Sequence, residues 1–159
     1  MAKPSILLTR HYPPAVMERA ARDYACVTRA EDGGLTGAAL CRLAAGVEGI
    51  LCAAGDPMDG ATIAALPDSV RVLATFSVGT DHIDLEAARR RGIVVTNTPD
   101  VLSVATAEIA MLLVLMCARR AGEAERMVRA REWVGWSPTQ LLGVTLEGKS
   151  CLLYTSPSP

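Results

Sequence analysis

Aromatic side chains are scarce: one Phe, three Tyr and two Trp in 159 residues. That excludes the stacking platforms on which single-stranded nucleic acids are held. The core must instead be aliphatic, as in helices laid on a parallel sheet. An excess of one charge is also missing, since 16 Lys+Arg stand against 17 Asp+Glu. Nothing steers the chain toward nucleic acid or an anionic membrane. The five cysteines, at 26, 41, 52, 117 and 151, contain no C-x-x-C pair. An odd number at wide spacing argues against a disulfide framework and against a zinc site. Cys41, Cys52 and Cys117 lie in apolar runs and are expected to behave as small hydrophobes. Long apolar runs are lacking too. The longest, Ile109 to Ala118, has ten residues, which suits a buried helix and not a bilayer span. Pro4 and Arg10 leave no signal-peptide core, so a reducing cytoplasm is the expected location, with no membrane partner. Finally, no G-x-G occurs anywhere, so a dinucleotide fingerprint is absent from these residues.

What remains alternates short apolar runs with helical stretches, the pattern of βαβ units around a parallel sheet. Strands are expected at Ile6–Thr9, weakly at Cys26–Val27, and at Gly49–Ala53, Val70–Phe76 and Ile93–Thr96. A helix opens at Pro13-Pro14 and runs to about Tyr24, with Val16, Ala20 and Ala21 on its inner face. Gly33-Gly34 marks a turn. Thr36, Asp59, Asp84 and Ser103 are helix caps by residue type and position. The helix after Thr36 carries Leu40, Leu43 and Ala44 inward and ends near Gly46. The helix after Asp59 closes before Pro67, and Leu85–Arg91 stops at Gly92. The long helix after Ser103 reaches Arg120, with Met111, Leu112 and Leu115 as core. A last helix runs from Gly122 to about Trp133. No internal repeat is present.

Two runs carry most of the chemistry: Thr75-Phe-Ser-Val-Gly-Thr-Asp-His-Ile-Asp84 and Asn97-Thr-Pro-Asp-Val-Leu-Ser-Val-Ala-Thr-Ala-Glu-Ile-Ala110. The first puts a glycine just past a buried strand, where backbone can approach a ligand with no Cβ in the way. Successive N–H groups at such a turn can grip a carboxylate; a plain strand-to-helix turn explains the same spacing equally well. Asp84 reads most simply as a cap and Asp81 as a loop-bracing acceptor. His82 reads as structural, and His11 as a surface or mouth residue. Thr106, in the first turn of the long helix, either lends its hydroxyl to an anion at that helix start or helps cap its own helix. Trp133 and Trp136 follow an amphipathic helix and suggest a subunit interface; local packing is the alternative.

Together these runs resemble the family of D-isomer-specific 2-hydroxyacid dehydrogenases, with the likeness to its glyoxylate/hydroxypyruvate reductase branch strongest between Val72 and Trp136. The resemblance implies an α/β fold: a flavodoxin-like parallel sheet with flanking helices over residues 1–98, the substrate domain. It implies that residues 99–150 begin a Rossmann NAD(P)-binding domain with its first helix and dimer arm. It also implies that Val78 and Gly79 bind the carboxylate of a small 2-oxo or 2-hydroxy acid. Val78 and Thr106 would lie along the NAD or NADP cofactor, and Trp136 would reach a partner's active site in a homodimer. The family's catalytic Arg, Glu and His have no counterpart in this chain, so no catalytic residue is assigned. Within the family, a 3-phosphoglycerate dehydrogenase is an alternative parent. From another class, a non-catalytic NAD-sensing corepressor on the same fold is a second.

Gly143-Val-Thr-Leu-Glu-Gly-Lys-Ser150 matches the P-loop pattern, but a phosphate-cradling loop needs a strand before it and a helix after it. Loop-like residues precede this one and a proline-containing tail follows, so a nucleotide site is not expected. Residues 151–159, Cys-Leu-Leu-Tyr-Thr-Ser-Pro-Ser-Pro, resemble a translated sequencing adapter and are expected to be non-native, leaving an incomplete copy of its parent. The long helix would then present one uncovered apolar face, which predicts aggregation.

Overall fold

The structure is a computed structural model, and it describes residues 2–29 and 32–153. The chain divides into two compact units, residues 1–102 and 103–159. In the first, strands β1 (Ser5–Leu8), β2 (Ala25–Thr28), β3 (Gly49–Cys52), β4 (Val72–Thr75) and β5 (Val94–Thr96) alternate with helices α1 (Pro14–Asp23), α2 (Gly37–Leu43), α3 (Gly60–Ala65) and α4 (Leu85–Arg90). The strands form one sheet in the order β2-β1-β3-β4-β5. Every pairing is parallel, with Leu7 opposite Val27 and Ile50, and Leu73 opposite Ile50 and Val95. This is the flavodoxin-like order, as the sequence suggested.

Successive strand residues point to opposite faces, and the two faces differ. Leu7, Ile50, Leu73 and Val95 face a layer that includes Leu40, Ala44, Ile63, Leu66, Ala87 and Ala88. Ile6, Leu8 and Leu51 face the other way, with Tyr12, Val16, Met17 and Ala20. Ala20 is buried as expected, but Ala21 is exposed and Met17 takes the inward place. Beyond the reach of α1 the second face is open: Val72 is 37% and Val94 58% exposed. An apolar groove of about 410 Å³ lies there, lined by Ile6, Gly49, Leu51, Val72 and Ala74 among others.

Caps set the helix ends. Thr36, Asp59 and Asp84 accept from the amides of Ala39, Thr62 and Ala87, each satisfying a donor that the first helical turn leaves without a partner. Gly92 takes φ 65° at the end of α4, and the Ile93 amide returns to the Ala88 carbonyl at 2.9 Å.

The second unit holds α5 (Ser103–Ala118) and α6 (Ala121–Arg129). Expectations for both helices are corrected here. α5 opens on Ser103 itself, so that serine is its first residue and not the cap before it, and it stops at Ala118 instead of Arg120. No residue of α5 is buried: Met111, Leu112 and Leu115 are each about half exposed, and Cys117 is exposed as well. The helix is apolar around its whole circumference, not on one face. α6 ends at Arg129, short of Trp133, because Arg131 turns to φ 57° and the Glu132 amide closes back on the Met127 carbonyl. Among the described residues neither a strand nor a helix flanks Gly143–Ser150. Instead the Val144 amide donates to the Ala118 carbonyl at 2.8 Å, and a Cβ on Gly143 would collide with that same oxygen. The last six residues of the adapter-like tail, 154–159, lie outside the described residues.

Candidate functional site

The C-terminal ends of parallel strands are where open α/β sheets take ligands. Past β4 the chain runs through Phe76, Ser77, Val78, Gly79 and Thr80 before reaching α4. Three consecutive carbonyls of this loop are tied back into the protein. The Thr98 amide donates to the Ser77 carbonyl at 3.0 Å. Asn97 Nδ2 donates to the Val78 carbonyl at 2.7 Å. Ser77 Oγ donates to the Gly79 carbonyl at 2.7 Å.

A trans peptide sets its N–H opposite its C=O, and no cis bond occurs here. Anchoring those three carbonyls therefore turns the amides of Val78, Gly79 and Thr80 the other way. Among the described residues none of the three donates a hydrogen bond. Val78 is 37% exposed and Gly79 is exposed. The arrangement is a short row of unspent donors at an open strand end, suited to the oxygen atoms of an anion. Asp81 sits beside it, and a Cβ on Gly79 would stand 2.9 Å from Asp81 Oδ2.

Beneath the loop, Thr75 is buried and its Oγ1 lies 2.7 Å from Ser77 Oγ and 3.0 Å from His82 Nε2. His82 is thus built into the floor of the loop. The Ile83 amide donates to the Thr80 carbonyl, and the Asp84 amide to the Met58 carbonyl, both at 2.9 Å. Asp84 is occupied as the cap of α4.

A second polar cluster stands at the ends of β1 and β3. The Asp56 side chain is fully buried. It accepts from Thr9 Oγ1 at 2.6 Å and the Ala53 amide at 2.9 Å, and pairs with Arg10 Nη2 at 2.8 Å. Tyr12 Oη donates to the Leu51 carbonyl at 2.9 Å, and its ring meets Phe76 edge-on with centroids 5.4 Å apart. Burial pushes the Tyr12 phenol up to about 12, outweighing the contact with the Thr9 hydroxyl that lowers it. Burial likewise pushes the Cys52 thiol up to about 12, so that cysteine is an inert packing group.

Thr106 is exposed in the first turn of α5, and Trp136 is 82% exposed beyond α6, with Trp133 at 55%. His11 is exposed, and its amide donates to Asp32 Oδ1 at 2.8 Å. Among the described residues no cluster of His, Cys, Asp and Glu could hold a metal ion, and no helix is long and apolar enough to cross a membrane. Reasoning from sequence missed Ser77, Asn97 and Thr75 as anchors of the loop. Asn97 and Ser77 were within the quoted runs, but only the pairing of β4 with β5 brings them together.

Residues 6–155 match the family model described as D-isomer specific 2-hydroxyacid dehydrogenase, catalytic domain. The chain is 41% identical over 154 residues to a glycerate dehydrogenase of Hyphomicrobium methylovorum, covering 97% of this chain and 48% of that protein. It is 35% identical over 152 residues to a glyoxylate reductase of Thermococcus litoralis, covering 93% and 46%. A solved structure from Polaromonas, described as a D-isomer specific 2-hydroxyacid dehydrogenase, NAD-binding, superposes with a TM-score of 0.86 at 44% identity. It covers 92% of this chain and 46% of that one. The chain thus spans about half the length of the curated relatives it matches.

Proposed function

The chain belongs to the family of D-isomer specific 2-hydroxyacid dehydrogenases, and from that premise we propose that the whole protein is an oxidoreductase of small 2-oxo acids. Its reaction would exchange a hydride between NAD(P)H and the carbonyl carbon of glyoxylate or hydroxypyruvate. The part of this chain is to hold and orient the acid: the Val78 and Gly79 amides receive the substrate carboxylate. What carries this reading is the row of unspent amides whose carbonyls are anchored to Thr98, Asn97 and Ser77.

In this assignment residues 1–98 are the substrate domain and residues 99–150 the start of the NAD(P)-binding domain. The adapter-like residues 151–159 are left out of both domains, although the family match continues to 155. Val78 and Thr106 are assigned to the cofactor, and Trp136 to a neighbouring active site in a homodimer. The residues of this chain do not by themselves fit a dinucleotide: without a G-x-G turn there is no loop for the pyrophosphate to approach closely. The donor of the hydride is the nicotinamide when bound, while proton delivery and polarisation of the oxo group need groups this chain does not supply.

The glycerate dehydrogenase and glyoxylate reductase relatives favour an unphosphorylated acid of two or three carbons over 3-phosphoglycerate. Protein expressed from the complete reading frame should oxidise NADH or NADPH with glyoxylate or hydroxypyruvate, followed by nicotinamide absorbance. Activity confined to 3-phosphohydroxypyruvate would move the assignment within the family. No oxidation with any 2-oxo acid would favour the dinucleotide-sensing corepressor. The 159-residue chain alone should show no micromolar binding in a nicotinamide fluorescence titration.

A further inference from the structure

We propose that His82 is a positioning residue for the anion-binding loop, holding the Gly79 carbonyl away from the mouth through a one-way hydrogen-bond chain His82–Thr75–Ser77–Gly79. The proposal rests on the reading that this loop receives a carboxylate, and it adds the group that keeps the loop in its receptive conformation.

The direction of the chain follows from counting protons. A carbonyl oxygen can only accept, so the 2.7 Å contact from Ser77 Oγ to the Gly79 carbonyl uses the single serine proton. Ser77 Oγ must then accept from Thr75 Oγ1, also at 2.7 Å, and this uses the threonine proton. Thr75 Oγ1 has no second proton to offer His82 Nε2 at 3.0 Å, so the imidazole must donate. In its neutral form His82 therefore carries its proton on Nε2 and leaves Nδ1 bare.

The loop needs such a restraint. Gly79 has no Cβ, and the peptide that follows it can turn over at little steric cost. A turned peptide would aim the Gly79 carbonyl outward and draw the Thr80 amide inward. The outward dipole would then oppose a carboxylate instead of attracting it. Thr75 is buried and Ser77 half-buried, so water does not readily replace either link. His82 meets the chain from the far side of the turn, two residues before the cap of α4, and thereby couples loop conformation to that helix start.

The test uses the ¹⁵N-labelled 159-residue chain. His11 and His82 are its only histidines, and a His11→Gln variant assigns their resonances. Long-range proton–nitrogen correlation, at a pH about two units above the ordinary histidine pKa of about 6.5, should show Nε2 protonated and Nδ1 bare. The reverse tautomer overturns the proposal without any mutation of the chain. Next, Ser77→Ala and His82→Leu should shift or broaden the Thr80 amide and weaken millimolar-range oxalate binding about tenfold, the scale of one lost hydrogen bond. His82→Gln places an N–H donor at the Nε2 position and should restore both readouts. Unchanged Thr80 signal and unchanged oxalate affinity in Ser77→Ala and His82→Leu overturn the proposal. Oxalate that moves no loop amide in the unmutated chain counts against the carboxylate reading alone, since the tautomer and the Thr80 amide still decide the hydrogen-bond chain.

Discussion

Asp56 holds two strand ends with one carboxylate. It takes the Thr9 hydroxyl, the Ala53 amide and the Arg10 guanidinium while fully removed from solvent. Removing it leaves a partly buried cation and two donors without their acceptor, and the Asp56→Ala variant should lose about 3 kcal/mol of stability in urea unfolding. Cys52 and Tyr12 give a second, pH-dependent test. Both are acids whose folded pKa lies above the ordinary value, 9.0 for the thiol and 10.0 for the phenol. The folded protein keeps protons that the unfolded chain loses, so their contribution is complete below about pH 9 and falls as pH rises toward 12. Unfolding free energy should decline by about 1.4 kcal/mol per pH unit for each group in that window. A Cys52→Ala variant should show a shallower decline, and a thiol reagent at neutral pH should modify Cys117 and Cys151 while sparing Cys52. Little of this was legible in the sequence. The hydroxyl that meets Asp56 stands 47 residues earlier, beyond the reach of any local pattern.

Helix ends show when local signals suffice. α4 and α6 close in the same way, with an amide reaching back five residues: Ile93 to Ala88 and Glu132 to Met127. The left-handed residue is Gly92 in the first and Arg131 in the second. Glycine announces its turn because it alone enters that region without steric cost, so the end of α4 was read correctly. Arginine gives no such notice, and the expectation for α6 ran on to Trp133. A side chain at Gly92 would meet nothing within 4 Å, which leaves backbone strain as the only penalty. Gly92→Ala should therefore cost about 1 kcal/mol in thermal or urea unfolding. At the other end of α4, Asp84→Ala should cost a similar amount, about 1 kcal/mol, and Asp84→Asn less, because asparagine still caps.

Over the whole chain, apolar surface left in solvent is the dominant feature. Val72 and Val94 lie on the open part of the sheet, and Val104, Ile109, Met111, Leu112 and Leu113 are exposed along α5. Parallel sheets are ordinarily covered on both faces, and contiguous apolar area of this kind favours association. The 159-residue chain should enhance the fluorescence of anilinonaphthalene sulfonate and sediment heavier than its 16.8 kDa. Replacing Ile109 and Leu112 with glutamine should reduce both effects. A strictly monomeric chain that leaves the dye dark would count against this account. The same residues explain why α5 was misjudged. A ten-residue apolar run states that burial is favourable, but not which surface provides it.

The amino-acid sequence by itself determined the α/β class, the order of strands and helices, and three of the four expected caps. Each of those rests on residues within one or two turns of each other. It also placed Val78 and Gly79 at a strand end, where backbone can be exposed. Tertiary structure alone decided that their carbonyls are tied down and their amides free. That outcome requires Asn97 and Thr98 to be carried alongside Ser77 and Val78 by the parallel register of β4 and β5. It also requires Thr75 to be buried between Ser77 and His82. Periodicity and capping are local properties of a chain, whereas the direction a peptide faces is set by whatever packs beneath it.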